Sequence, residues 1–176
     1  MKRRRVIQLG LLVLVALVAS AVAASFAFGR STAGGAPVTT SGQLSIGGMT
    51  INIQSYSEGL SNPTTLGPGG IVSGPKASFS SLNVLGSADG SFPVLNAAVA
   101  TGQKFPTATL TFTSSSPNST ATTVTIQVDN AVVESDQQSG TTQSVSLAFE
   151  RVHWTLTDAS GTTTRGWNVV TNQPLP

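Results

Sequence analysis

The chain holds one histidine, His153, in the stretch "SVSLAFERVHWTLTD" from Ser144 to Asp158, and no cysteine. An imidazole works as a general base when a carboxylate orients it, and Glu150 and Asp158 are the nearby acids. On a strand, His153 and its neighbour Trp154 point to opposite faces, and no second histidine or thiolate is present to complete a metal site. No motif in the sequence sets a nucleophile and an orienting acid around this one histidine, and no thiol is present. The chain therefore reads as a non-enzyme with no catalytic, cofactor-binding or metal site, and His153 as an ordinary strand histidine.

Other spacings suggest chemistry and then withdraw it. "SGPK" (Ser73 to Lys76) has the S-x-x-K interval, but Gly74 and Pro75 oppose the helical turn that would bring hydroxyl and amine together, and neither S-D-N nor K-T-G occurs. It reads as a turn entering a strand. "GPGG" (Gly67 to Gly70) is followed by no lysine-serine or lysine-threonine pair to hold nucleotide and magnesium, so it is a loop. Glu134 and Asp136, at period two, are expected on one strand face, without the Asp-Asn-Gly spacing of a calcium loop. Asn118 opens "NST", a glycosylation sequon in a suitable host and otherwise a polar turn.

These residues must be positioned by strands. Val145, Leu147 and Phe149 alternate at odd numbers and Val152, Trp154 and Leu156 at even ones, which predicts one long strand with a bulge or sharp twist near Glu150 and Arg151. Alternation also marks residues 43–57, 76–86, 107–114, 122–137 and 164–172, separated by Gly, Pro, Asn and Ser clusters. Within residues 122–137, Val124, Ile126 and Val128 share one face of a half-buried antiparallel strand. One segment differs: in "SFPVLNAAVATG", Ser91 is placed to cap a helix, Pro93 sits in its first turn, Leu95, Ala98 and Val99 form a narrow stripe, and Gly102 closes it. The fold class predicted is mainly β, an antiparallel two-sheet barrel or sandwich with one short helix.

The N-terminus has a different composition. Four basic residues precede an apolar run from Val6 to Phe28, which reads either as a signal peptide cleaved after Ala23 or as an uncleaved anchor. Twenty-three helical residues would span about 34 Å, enough for a bilayer core. Residues 1–28 are thus expected to be a hydrophobic helix serving as signal peptide or membrane anchor, with the membrane a partner through residues 6–28 if uncleaved. Residues 29–42 ("GRSTAGGAPVTTSG") read as a flexible linker and 43–176 as the domain. The charge asymmetry places the domain outside the cytoplasm, secreted or anchored. The domain keeps four cations (Lys76, Lys104, Arg151, Arg165) against seven acids, a net −3, which excludes a phosphate-tracking surface and with it nucleic acid.

The order of the pieces "INIQSYSEGLSNP", "GPKASFSSLNVL", "LNAAVATGQKFPTATLTF", "VTIQVDNAVVESDQQSG", "SVSLAFERVHWTLTD" and "GWNVVTNQP" resembles the successive motifs of the Hcp family, the haemolysin-coregulated tube proteins of type VI secretion. The likeness runs from Gln43 to Pro176. It includes the helix ending Ala100-Thr101-Gly102 before the strand Ala108–Thr111, and the strand from Ser144 leading to Gly166-Trp167. The resemblance implies a compact two-sheet barrel with a short helix, a homo-oligomeric six-membered ring assembled head to tail, and stacked rings that carry effectors. The stretch between Tyr56 and Lys76 looks short and glycine-rich beside the extension that the family uses for stacking. A rival reading is a monomeric cell-surface β-domain that binds glycan or protein through Trp154, Trp167 and Tyr56.

Overall fold

The computed structural model describes residues 39–74, 76–116 and 119–176. The elements run β1 Thr39–Ile46, β2 Met49–Ser57, β3 Leu60–Ser61, β4 Thr64–Gly67, β5 Gly70–Ser73, β6 Ser78–Phe79, β7 Leu82–Ser87, α1 Phe92–Thr101, β8 Lys104–Ser116, β9 Ser119–Ser139, β10 Thr142–Ala148, β11 Arg151–Asp158, β12 Gly161–Asn168 and β13 Gln173–Leu175. β1 takes in Thr39–Gly42, so these four residues belong to the sheet and not to a tether. The hydrophobic helix expected over residues 1–28, with its signal-peptide and anchor readings, lies outside the described residues. None of the described helices is long and apolar enough to cross a membrane.

The expected two sheets are one. Nine strands follow the order β10-β7-β2-β1-β8-β9-β11-β12-β13, all pairs antiparallel, and β10 also pairs with β9, which closes six of the strands into a barrel. β11, β12 and β13 continue from β9 as a wing. A single sheet can do this because β9 is 21 residues long, roughly 70 Å if straight, and serves β11 with one part and β10 with the other. Closure removes two sheet edges, which would otherwise invite foreign strands.

Corners make the closure possible. The buried residues of β9 shift from even (Ile126, Val128) to odd numbers (Ala131, Val133) across Asn130, a non-glycine residue at φ 52. Opposite this kink the predicted single strand of residues 144–158 is two: β10 ends at Ala148 and β11 starts at Arg151. The two breaks are tied together, since Glu150 N–H donates to Asp129 C=O at 3.1 Å and Asn130 Nδ2 donates to Glu150 Oε2 at 2.8 Å. The face change in the sequence was real; its cause is a corner between two strands, not a bulge within one.

Hairpin chemistry divides the first alternating segment as well. Residues 43–57 span two strands, β1 and β2, with Ile46 opposite Met49. The connection is Gly47-Gly48 at φ 57 and 81, a pair of left-handed positions that side chains resist and that match the twist of a tight hairpin. α1 forms where its pattern placed it and ends at left-handed Gly102; Leu95 and Ala98 are its buried residues, and it packs against β9. Its start differs from expectation. Ser91 makes no side-chain cap, and its own N–H donates to Asp89 Oδ1 at 2.8 Å, so an aspartate turn leads into the helix.

The core is contiguous. Leu44, Leu110, Val128, Leu147 and Val152 are fully buried, and register sets them in rungs such as Ile46–Ala108–Val128–Val152–Trp167 across five strands. Full burial of a Leu or Val side chain contributes about 1.5–3 kcal/mol.

Candidate functional site

His153 lies on β11 in the wall. Its Nε2 is 3.5 Å from Asp129 Oδ2, and Asp129 Oδ1 accepts from Gln127 Nε2 at 3.1 Å. The acids near it in sequence are engaged elsewhere. Glu150 pairs with Lys104 at 3.8 Å, while Asp158 accepts from the N–H and hydroxyl of Ser160 at 2.7 and 2.5 Å, contacts that lower its pKa. The other side of the imidazole lies against β12: a Cβ added at Gly166 would stand 2.9 Å from His153 Nδ1 and 2.9 Å from Leu175 Cβ. Glycine at 166 is thus what lets the ring lie flat on its neighbour strand. No hydroxyl is hydrogen-bonded to the imidazole among the described residues, and none of their acids and histidine cluster as metal ligands.

The remaining motifs also resolve into structure. Ser73 ends β5 rather than opening a helical turn, and Gly74 N–H donates to Pro63 C=O. Gly67–Gly70 forms the tip of the β4–β5 hairpin. Asn118 lies outside the described residues. Glu134 and Asp136 do not share a face, contrary to expectation. The β9–β10 register slips between Ser146 and Leu147, leaving Glu134 as an extra residue, so Asp136 comes opposite buried Val145 while Glu134 stays at the surface. Asp136 accepts from the Nε2 of buried Gln143 with both oxygens at 3.0 Å. Burial pushes its carboxyl above the usual range and the Gln143 hydrogen bond returns part of the shift.

The three aromatics proposed for glycan contact form no common exposed plane; Tyr56, Trp154 and Trp167 are each half-buried against the core. Tyr56 tilts against Phe112, with ring centroids 5.6 Å apart. Trp154 has a structural partner that sequence gave no sign of, 96 residues away. Its Nε1 donates to Glu58 Oε2 at 2.8 Å and Oε1 at 3.1 Å, and Phe79 stacks on it at 6.4 Å and 18°. Burial raises the Glu58 carboxyl above its ordinary pKa, with the indole N–H acting in the opposite direction.

Glu58 and Phe79 flank the two ends of one excursion. Between them the chain leaves the barrel as a ribbon in two tiers, β3 paired with β6 and β4 with β5. The expected short glycine-rich loop is therefore a paired arm. Its root is closed by Ser80 N–H to Gly59 C=O at 2.8 Å and Gly59 N–H to Ser80 Oγ at 2.7 Å. Beyond the root nothing in the described chain covers it: Leu60 is 58% and Ile71 74% exposed. Arm and wall are what these residues build.

A closed antiparallel barrel with one helix packed on β9 and a protruding ribbon defines a shape-bearing β protein. The chain belongs to the Hcp family: residues 47–156 match the family model described as "Type VI secretion system effector, Hcp". Solved structures agree on the fold. Hcp1 from Salmonella typhimurium superposes with a TM-score of 0.62 at 20% identity, covering 77% of this chain and 99% of that one. A structure described as a type six secretion system protein gives 0.67 at 20% identity, covering 78% and 100%. The secreted protein Hcp3 from Pseudomonas aeruginosa gives 0.56 at 15%, covering 74% and 98%. No curated protein matches the sequence significantly.

Proposed function

We propose that this chain is a secreted, non-enzymatic structural subunit that assembles head to tail into a six-membered ring, with the arm reaching toward a neighbouring ring. The Hcp family match supports the tube-protein role, and the ring number follows from that resemblance. The observation that carries the reading is the arm. A two-stranded ribbon is marginal in water by itself, and this one presents Leu60 and Ile71 more openly than the exposed apolar residues of the other strands, Leu85 and Leu156. Such an element gains its missing burial from another chain.

Sedimentation velocity of the full chain at roughly 10 μM is the test. A species of six subunits is expected, together with larger stacks that disappear when residues 60–79 are replaced by a short glycine-serine turn. A monomer under these conditions would end the ring reading and favour a solitary surface domain.

A further inference from the structure

At the arm's root the chain forms a small recess of about 140 Å³, walled by Phe79, Ser81, Phe149 and Val169, with Glu134 on β9 lining it. The β-bulge turns Glu134 outward to this position. Its Oε2 accepts from the Ser81 hydroxyl, and from Ser146 Oγ at 3.5 Å, which holds the carboxylate at the recess. Oε1 has no hydrogen bond, and no cation pairs with the group among the described residues; the ion pairs there are Lys104–Glu150 and His153–Asp129. A fixed carboxylate between two phenylalanine rings repels anions. It accepts a cation on an apolar stem, whose methylenes lie along the rings while the charge meets the oxygen. The volume admits one side chain and excludes a nucleotide.

The domain offers few such cations. Lys104 is paired with Glu150, Arg165 donates to Thr164 C=O at 2.7 Å, and Arg151 stands opposite Asp129 in the β9–β11 register. Arg151 and Arg165 belong to the wall strands, and Lys76 is the cation carried by the arm: it is exposed between β5 and β6, with no ion pair or side-chain hydrogen bond among the described residues. It sits five residues before Ser81, at most about 17 Å of extended chain from the recess, and makes no ion pair with Glu134 of its own chain.

We propose that the Glu134 recess receives Lys76 of a copy in the adjoining ring, so that each subunit gives a lysine to the ring on one side and takes one from the ring on the other. This inference rests on the ring reading above. A protruding cation and a recessed anion set apart on one chain are the two unlike halves that a head-to-tail contact requires. A pair removed from bulk water at an interface also changes dissociation more strongly than a rim charge does.

The test measures self-association of the full chain by sedimentation at fixed ionic strength, with thermal melts as a fold control. Glu134→Gln keeps an acceptor for both serine hydroxyls and removes only the charge; it is expected to weaken assembly about tenfold while the melt stays put. Glu134→Lys and Lys76→Glu each weaken it further, and the two together restore it to near the wild-type level. Wild-type chain that sediments as a monomer overturns the ring reading and this contact with it. Wild-type chain that assembles, with Glu134→Gln neutral or the charge swap failing to rescue, overturns the contact alone.

Discussion

The barrel and the arm obey opposite rules. In the barrel, six strands have both edges paired, corners are fixed by hydrogen bonds between one kink and the next, and the apolar side chains meet in rungs. In the arm, each strand has one partner and one open edge, and the large apolar residues Leu60 and Ile71 face outward. One region satisfies itself and the other is complete only against something else. Stability should therefore be concentrated in the first and assembly in the second.

The largest expected effect comes from emptying the barrel. Leu147 is fully buried and sits where β10 closes against both β7 and β9. Leu147→Ala should cost about 2–5 kcal/mol in urea unfolding, the range for a core leucine whose cavity cannot collapse. A loss below about 1 kcal/mol would mean that the closing seam is loose, and the contrast with the arm would fail. Next in size is Gly166→Ala, where the new methyl meets the His153 ring and Leu175, for a loss of about 1–3 kcal/mol. His153→Ala alone should be small, and adding it to Gly166→Ala should recover part of the loss. Additive losses would show that the imidazole is not the obstacle and weaken the reading of His153 as wall.

How much of this was legible depends on distance along the chain. Alternation is local, so the strands, the helix and its closing Gly102 could be read directly. The face change near Glu150 was visible too, but whether it marked a bulge or a corner depended on Asn130, twenty residues away and without any signal beyond being an asparagine. The Glu134 bulge was invisible for a similar reason: period two is the default until the partner strand slips register. The arm root was hidden most completely, because nothing in "SEGL" announces that Glu58 will accept from Trp154. Residues at corners and contacts are chosen by partners, and partners are non-local.

A smaller effect should separate the buried acids from the exposed ones. Asp136 and Glu58 have carboxyl pKa values raised by burial, so the folded state holds protons that the unfolded chain has released. Their contribution is least favourable at neutral pH and improves as pH falls through the raised range toward the ordinary carboxylate value near 4. Asp89 and Asp158 have lowered values through hydrogen bonds from Ser91 and Ser160, and their contribution is lost as pH falls further. Asp136→Asn keeps a partner for Gln143, whose buried Oε1 has none in the wild type, and is expected to raise stability at pH 7 by less than about 1 kcal/mol. The gain should shrink on acidification. A variant less stable at every pH would show that the ionised carboxylate is favourable inside the seam.

The smallest change in stability is expected at the most exposed apolar residue. Ile71 lies on β5 in the outer tier of the arm, so Ile71→Ser removes little burial from an isolated subunit and should leave urea unfolding within about 0.5 kcal/mol of wild type. The same substitution should reduce stacking of rings in sedimentation, because the isoleucine buries its surface only when a second chain arrives. Leu147→Ala is the mirror image, destabilising the subunit while leaving the arm's surface chemistry intact. If Ile71→Ser lowered subunit stability as a core change does, the arm would have to fold back onto its own barrel, and the division between a self-sufficient wall and a dependent arm would dissolve.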